Sequence, residues 1–268
     1  VKIDRESKLL WRFEARAHHD VAVDYNGDIF LLVQVPVHAP GIHATADVLD
    51  ERITILTSDG IERAEISLLD VIRHSPYAFL LPTAMELDQE DVDQLDLLHA
   101  NHLEVLDGSL DDISPLFRRG NILVSLKHLN VIMILDSDTH QIVWLWGPNN
   151  LALQHHPVLL YYGHILVFDN GTERSRVLEI DVPTRVVTWH YESDDLFSSW
   201  GGANQRLENG NTLITNTAMG YAYEVTPGGE VVWSFKNPEF DDEGRLNIWQ
   251  MARYSREQLS FLRDTGWR

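Results

Sequence analysis

The segment "LYYGHILVFDN" (residues 160–170), followed closely by "EIDVPTRVVTWHY" (179–191), decides the fold. The first is an apolar run, a turn at Gly163 and a second apolar run, which reads as a β-hairpin. The second is an apolar strand, a polar turn and a closing strand that carries Trp189, again a hairpin. Both patterns recur along the chain. The glycine hairpin returns as "DYNGDIFLLVQ" (24–34), "FRRGNILVSLK" (117–127) and "LENGNTLITNT" (207–217). The tryptophan hairpin returns as "KIDRESKLLWRF" (2–13), "ILDSDTHQIVWLW" (134–146) and "YEVTPGGEVVWSF" (223–235). Gly120, Gly163 and Gly210 are 43 and 47 residues apart, and Trp144, Trp189 and Trp233 are 45 and 44 apart. Four strands repeating about every 40–45 residues is the period of a propeller blade.

Residues 1–268 are therefore expected to form one all-β propeller domain of about five four-stranded blades, with six as the larger alternative. Residues 1–13 supply only the outer two strands of a blade, and "RLNIWQMARYS" (245–255) reads as one more inner strand. Pairing these two pieces would close the ring and remove exposed sheet edges. "RITILTSDGIERAEISLLD" (52–70) reads as two strands without the tryptophan, and residues 83–118 as an acidic loop and a lengthened hairpin. Only "YSREQLSFLRD" (254–264) has a helical pattern.

Composition narrows the partners. Lys and Arg total 21 against 41 Asp and Glu, a net charge of −20, which argues against nucleic acid and anionic membrane surfaces. No apolar run approaches the roughly 18 residues of a membrane span. Cysteine is absent, so disulfides, thiolate metal sites and cysteine catalysis are excluded. A strongly acidic, cysteine-free chain suits a periplasmic or secreted protein. The chain begins at Val1 without a signal-peptide pattern, as expected of a removed leader or a trimmed chain.

In a propeller, the start of each blade's innermost strand and the end of its second strand open on the same face of the central channel. Eight residues before the hairpin glycine lie His19 and His155, and the lengthened blade offers "HANH", with His99 and Asn101. Seven residues after the glycine lie Lys127 and Asn170. These side chains are expected to converge from three blades. Because strand side chains alternate, His18 and His156 are expected to point away from the channel and support their neighbours. The acidic run "ELDQEDVDQLD" (86–96) reads as a solvated loop.

The ordered set "HHD", "HAN", "ILVSLKHLN", "IVWLWG", "LQHHPVLL", "ILVFDNG", "NQRLENGNTLI" and "EVTPGGEVVWSF" resembles the arylsulfotransferase (aryl-sulfate sulfotransferase) propeller family. The resemblance implies transfer of a sulfuryl group from a phenolic sulfate ester to another phenol, through a transiently sulfurylated histidine and without a cofactor. It places the nucleophile on His155, the family's H-x-N motif on His99 and Asn101, and its earlier histidine on His19. The family's site arginine falls on Lys127, which keeps the charge but loses the planar fork that grips two oxygens. His19 or His99 would serve as general acid. The implied partners are small aryl sulfates and phenols, with a homo-oligomer admitted.

Two other readings compete. Three imidazoles with Gln154 or Gln205 could hold Mn²⁺ as the Lewis acid of a polysaccharide lyase. A non-catalytic propeller could bind a glycan or a protein on the same face.

Overall fold

The computed structural model describes residues 1–43, 46–82, 95–242 and 244–261. Four antiparallel four-stranded sheets follow one another along the chain. The first holds β3 (Ala17–Val23), β4 (Ile29–His38), β5 (Asp47–Leu56) and β6 (Glu62–Ser67). The second holds β7 (Ala100–Val105), β8 (Ile122–Leu126), β9 (Val131–Leu135) and β10 (Ile142–Trp146). The third holds β11 (His155–Leu159), β12 (His164–Asp169), β13 (Arg176–Asp181) and β14 (Val186–Glu192). The fourth holds β15 (Ala203–Arg206), β16 (Thr212–Asn216), β17 (Tyr221–Val225) and β18 (Val231–Lys236). Two-stranded hairpins lie before and after them: β1 (Lys2–Ile3) with β2 (Leu9–Trp11), and β19 (Phe240–Asp241) with β20 (Gly244–Arg245). This is the all-β propeller expected, with a blade count of about five.

Local chemistry explains the repeat. Gly27, Gly120, Gly163 and Gly210 all sit at φ between +84 and +87°, where a Cβ would clash with its own backbone. In three of the four turns the glycine amide donates to the carbonyl three residues earlier, on Asp24, Leu160 or Leu207. The second and third strands of the middle blades are apolar on both faces because a blade packs on each side. β8 and β9 are fully buried. Their side chains alternate between two interblade cores. Ile122, Val124 and Met133 face the first blade, whereas Leu123, Ile132 and Ile134 face the third. Phe168 and Val177 then meet Ile214 and Val225 of the fourth blade. Each such fully buried side chain is worth about 1.5–3 kcal/mol.

Trp144, Trp189 and Trp233 stand in the outermost strands of their sheets, and the first two tie their blade to the next. Trp144 Nε1 donates to Val182 O (2.9 Å), and Trp189 Nε1 donates to Pro227 O (2.9 Å), in the outer turn of the following blade. Trp11 repeats the contact with Ser58 O (3.1 Å), in the β5–β6 turn.

The structure corrects three expectations. No ladder joins residues 1–13 to the C-terminal segment among the described residues. Instead residues 247–254 form no strand and lie along the fourth blade. Met251 N donates to Thr215 Oγ1 (3.0 Å), and the Arg253 backbone exchanges two bonds with the Gln205 amide. The end of "AEISLLD" is helical: α1 (Leu68–Arg73) starts at Ser67, whose hydroxyl accepts from Asp70 N, and buries Leu68, Leu69 and Ile72. The described part of 254–264 forms turns rather than an α-helix. Residues 83–94, most of the acidic loop, lie outside the described residues, whereas the long β7–β8 connection is present. Among the described residues no helix is long and apolar enough to cross a membrane.

Candidate active site

The innermost strands β3, β7, β11 and β15 are neighbours, and at one end they frame a cavity of about 520 Å³. His19, His99, Asn101, Lys127 and His155 all border it, so five of the six expected residues meet in space. Backbone irregularity brings them there. The β3–β4, β7–β8 and β11–β12 pairs each shift register at the start of the inner strand, and His19, His99 and His156 have φ of 53, 48 and 50°. Bulges and left-handed non-glycine residues cost energy and concentrate where side chains must be re-aimed.

His155 has its Nδ1 fixed by two acceptors, Asn170 Oδ1 (2.7 Å) and Leu153 O (2.9 Å). Both partners accept, so Nδ1 carries the hydrogen and Nε2 keeps a free lone pair. Burial, aided by the Lys127 charge and against those hydrogen bonds, lowers the pKa of His155 to about 4. The ring is therefore neutral at pH 7, with one nitrogen left to attack. Asn170 departs from the expected substrate contact. It is fully buried behind His155, and its amide donates to Ser198 O (2.9 Å) and Gly201 O (2.6 Å). Asn170 orients the ring.

His99 is held in the same manner. Asp96 accepts from the His99 backbone N (2.9 Å) and from its Nδ1 (2.6 Å), which leaves Nε2 for the cavity. Burial alone would raise the pKa of Asp96, but the His99 bond and the charges of His99 and His128 hold it below the usual carboxylate range. His19 Nδ1 lies 2.6 Å from His18 Nδ1, and His18 Nε2 lies 2.7 Å from Glu51 Oε2, a carboxylate with no exposed surface. His18 thus supports its neighbour as expected. Burial first, and then His99 and His18, lower the pKa of His19 to about 4. The His19 and His99 rings are 4.8 Å apart, and Lys127 is the permanent cation among the cavity's lining residues. Asn101 Nδ2 holds Gln154 O (2.8 Å), the carbonyl just before His155.

His156 departs from the alternation rule. The register shift after His155 turns both neighbours toward the cavity, and His156 Nε2 lies 2.9 Å from Gln250 Nε2. Burial lowers its pKa to about 3. The cavity is also lined by an edge-to-face pair, Trp200 and Trp249, with ring centroids 5.2 Å apart. Sequence reasoning missed this pair, together with Asp96, Asp20 and His102. The i,i+3 spacing of Asp96 and His99 was the one local signal available.

Asp96, His99 and His128 could approach a metal ion, their ligand atoms lying within 4.8 Å of one another. The glutamines that a lyase-type metal site needed are engaged elsewhere. Gln154 is fully buried, its amide donating to Ser125 Oγ, Leu126 O and Val131 O, and Gln205 is bound to Arg253.

The sequence profile of the arylsulfotransferase (ASST) family matches residues 1–238. The chain belongs to the arylsulfotransferase family. No curated protein matches it in sequence. Among solved structures it is similar to the Dos1 propeller at 11% identity and a TM-score of 0.54, over 91% of this chain and 54% of that one. It is also similar to Raptor of Chaetomium thermophilum, at 10% identity and a TM-score of 0.50, over 87% of this chain and 17% of that one. Virginiamycin B lyase from Staphylococcus aureus follows at 11% identity and a TM-score of 0.46, over 86% and 73% of the two chains. At such identities the likeness to the first two speaks for the fold alone. This ASST-family chain spans little more than half of the first structures it resembles, 59% of a Bacteroides caccae protein and 54% of Dos1.

Proposed function

We propose that the cavity transfers a sulfuryl group from a phenolic sulfate ester to an acceptor phenol, with His155 Nε2 as the nucleophile. One observation carries the reading: His155 Nδ1 is held by Asn170 and Leu153, so a neutral ring presents its other nitrogen to the cavity. Attack on sulfur forms the S–N bond and breaks the S–O bond to the phenol. A second phenol then takes the sulfuryl group from His155. Negative charge grows on the departing oxygen and on the non-bridging oxygens during each displacement. Lys127, with His19 and His99, lines the cavity, and in this reading they hold the non-bridging oxygens, an effect commonly worth several kcal/mol. The aryl ring packs against Trp200 and Trp249, which line the cavity and are 37% and 69% exposed.

The donor and acceptor are small, and the reaction calls for no cofactor. The acidic, cysteine-free composition suits a protein working in the periplasm or outside the cell. Steady-state kinetics with 4-nitrophenyl sulfate and phenol test the reading. Parallel double-reciprocal lines that vanish in His155→Ala support a two-step transfer through this residue. Intersecting lines, or an active His155→Ala protein, overturn it.

A further inference from the structure

Behind the cavity, one amide joins the two carboxylates that orient its histidines. Gln34, on β4, is paired with Glu51, on β5, in the strand register, so both side chains stand on one face of the first blade. Gln34 Nε2 donates to Glu51 Oε1 (3.1 Å) and, across the blade boundary, to Asp96 Oδ2 (3.3 Å). Both acceptors are carboxylate oxygens, so the nitrogen of the amide, not its oxygen, faces them. The other Glu51 oxygen, Oε2, lies 2.7 Å from His18 Nε2, and His18 Nδ1 lies 2.6 Å from His19 Nδ1. Asp96 Oδ2 is also 2.6 Å from His99 Nδ1. Gln34 thus stands between two chains, Glu51–His18–His19 and Asp96–His99, whose last rings border the cavity 4.8 Å apart. A backbone bond supports the same junction: Leu49 N, on β5, donates to Leu95 O (2.9 Å), beside Asp96.

We propose that Gln34 is a positioning residue for sulfuryl transfer, holding Glu51 and Asp96 at the spacing that sets His19 and His99 in the cavity, a role that rests on the transferase reading above. Glu51 has no exposed surface, so the oxygen that Gln34 serves cannot turn to water instead. A buried carboxylate oxygen stripped of its donor costs free energy, and relief comes from a shift of the side chain or from a proton. Either change reaches His19 through His18, and the Asp96 arm carries the same disturbance to His99.

The position has a counterpart in each of the next two blades. Seven residues after the hairpin glycine stand Gln34 in the first blade, Lys127 in the second and Asn170 in the third. Asn170 holds the ring of His155 through Nδ1, and Lys127 lines the cavity itself. Gln34 acts one step further back, through two carboxylates. A neutral donor suits that place. A carboxylate there would set a third negative charge against Glu51 and Asp96, and an apolar side chain would leave both without the amide. The charged and titratable groups around the junction are Glu51 and Asp96, the rings of His18, His19, His99 and His128, and Lys127.

The test is the rate of His155 labelling by 4-nitrophenyl sulfate in Gln34→Met and Gln34→Glu proteins, from about pH 8 to about 5.5. Each rate is taken relative to the unsubstituted protein at the same pH. Both replacements keep the length of the side chain. Methionine donates nothing, so labelling should slow about 10- to 100-fold, by the same factor at every pH. Glutamate, repelled by its two neighbours, takes up a proton as pH falls, and its protonated form regains one donor. Its loss should match that of methionine at the alkaline end and shrink several-fold at the acidic end. That acid rescue is the signature of a donor, which a space-filling role would not produce, and it decides alone if Gln34→Met does not fold. Losses in Gln34→Glu that stay constant with pH, or labelling at the parental rate in Gln34→Met, overturn the role of Gln34 while leaving His155 transfer intact. Failure of the unsubstituted protein to label His155 at all overturns the transferase reading and this role with it.

Discussion

Acidification should separate His155, the proposed nucleophile, from an ordinary histidine. A free imidazole titrates near pH 6.5, whereas burial of His155, aided by the Lys127 charge and against the bonds to Asn170 and Leu153, brings it to about 4. Protonation of Nε2 removes the lone pair that the proposed attack on sulfur requires. The rate of His155 labelling by a phenyl sulfate should therefore be level from pH 7 to about 5.5 and fall with a midpoint near 4. The same shift acts on stability. Above pH 6.5 the ring is neutral in both the folded and unfolded chains and contributes no pH dependence. As pH falls from 6.5 toward 4 the unfolded chain binds the proton first, so folding loses stability progressively, by about 3 kcal/mol in total from this group. The neighbouring imidazole of His19, also lowered to about 4, interacts with His155, so the observed midpoint belongs to the pair. Lys127→Met removes a charge that disfavours the imidazolium and should move the midpoint upward. The assay is stopped-flow labelling across pH, with far-ultraviolet circular dichroism to confirm that the fold persists. A midpoint at 6.5, or one that Lys127→Met leaves unmoved, refutes the buried neutral nucleophile.

Three further outcomes are expected. Lys127→Arg should keep or raise the transfer rate by supplying two aligned donors, whereas Lys127→Ala should lower it about 100-fold or more, as loss of an oxyanion donor does; steady-state rates with 4-nitrophenyl sulfate distinguish them. Gly202→Ala should destabilise the protein by several kcal/mol, because Gly202 has φ +147° and its Cβ would come within 2.4 Å of the Phe168 ring; an unchanged unfolding midpoint would contradict that packing. Trp144→Phe should cost about 1–2 kcal/mol by removing the indole donor to Val182 O, read in urea unfolding, and a neutral result would dismiss the interblade clasp.

Periodicity carried most of the fold. Gly27, Gly120, Gly163 and Gly210 mark positive-φ turns that few other residues accept, and Trp144 and Trp189 mark outer strands that reach the next blade. Both signals are local, so a sequence displays them. α1 was hidden because "ISLLD" is apolar enough for a strand, and its helical turn depends on Ser67 capping and on Asp50, which accepts from Ser67 Oγ and Leu69 N nineteen and fewer residues away. His19, His99, Asn101, Lys127 and His155 were legible through blade register, since equivalent strand ends face one channel. Asp20 and His102 were not, because they meet across a blade boundary from strands that share no local pattern. His156 was misread because register arithmetic assumes regular strands, and the shift at the head of β11 breaks the alternation there. Asn170 has the register of Lys127, but its amide is drawn inward by Ser198 O and Gly201 O.

The central claim is that His155 carries the sulfuryl group, and mass spectrometry of the trapped protein tests it most directly. The protein is exposed briefly to 4-nitrophenyl sulfate at neutral pH, digested under mild conditions, and the peptide containing Gln154 to Tyr162 is sequenced by fragmentation. The account predicts one added sulfuryl group on His155, lost when phenol is added and absent from Asn170→Ala protein labelled for the same short time. Turnover without that mass on His155, or the mass on His156, His99 or His19 instead, would contradict it.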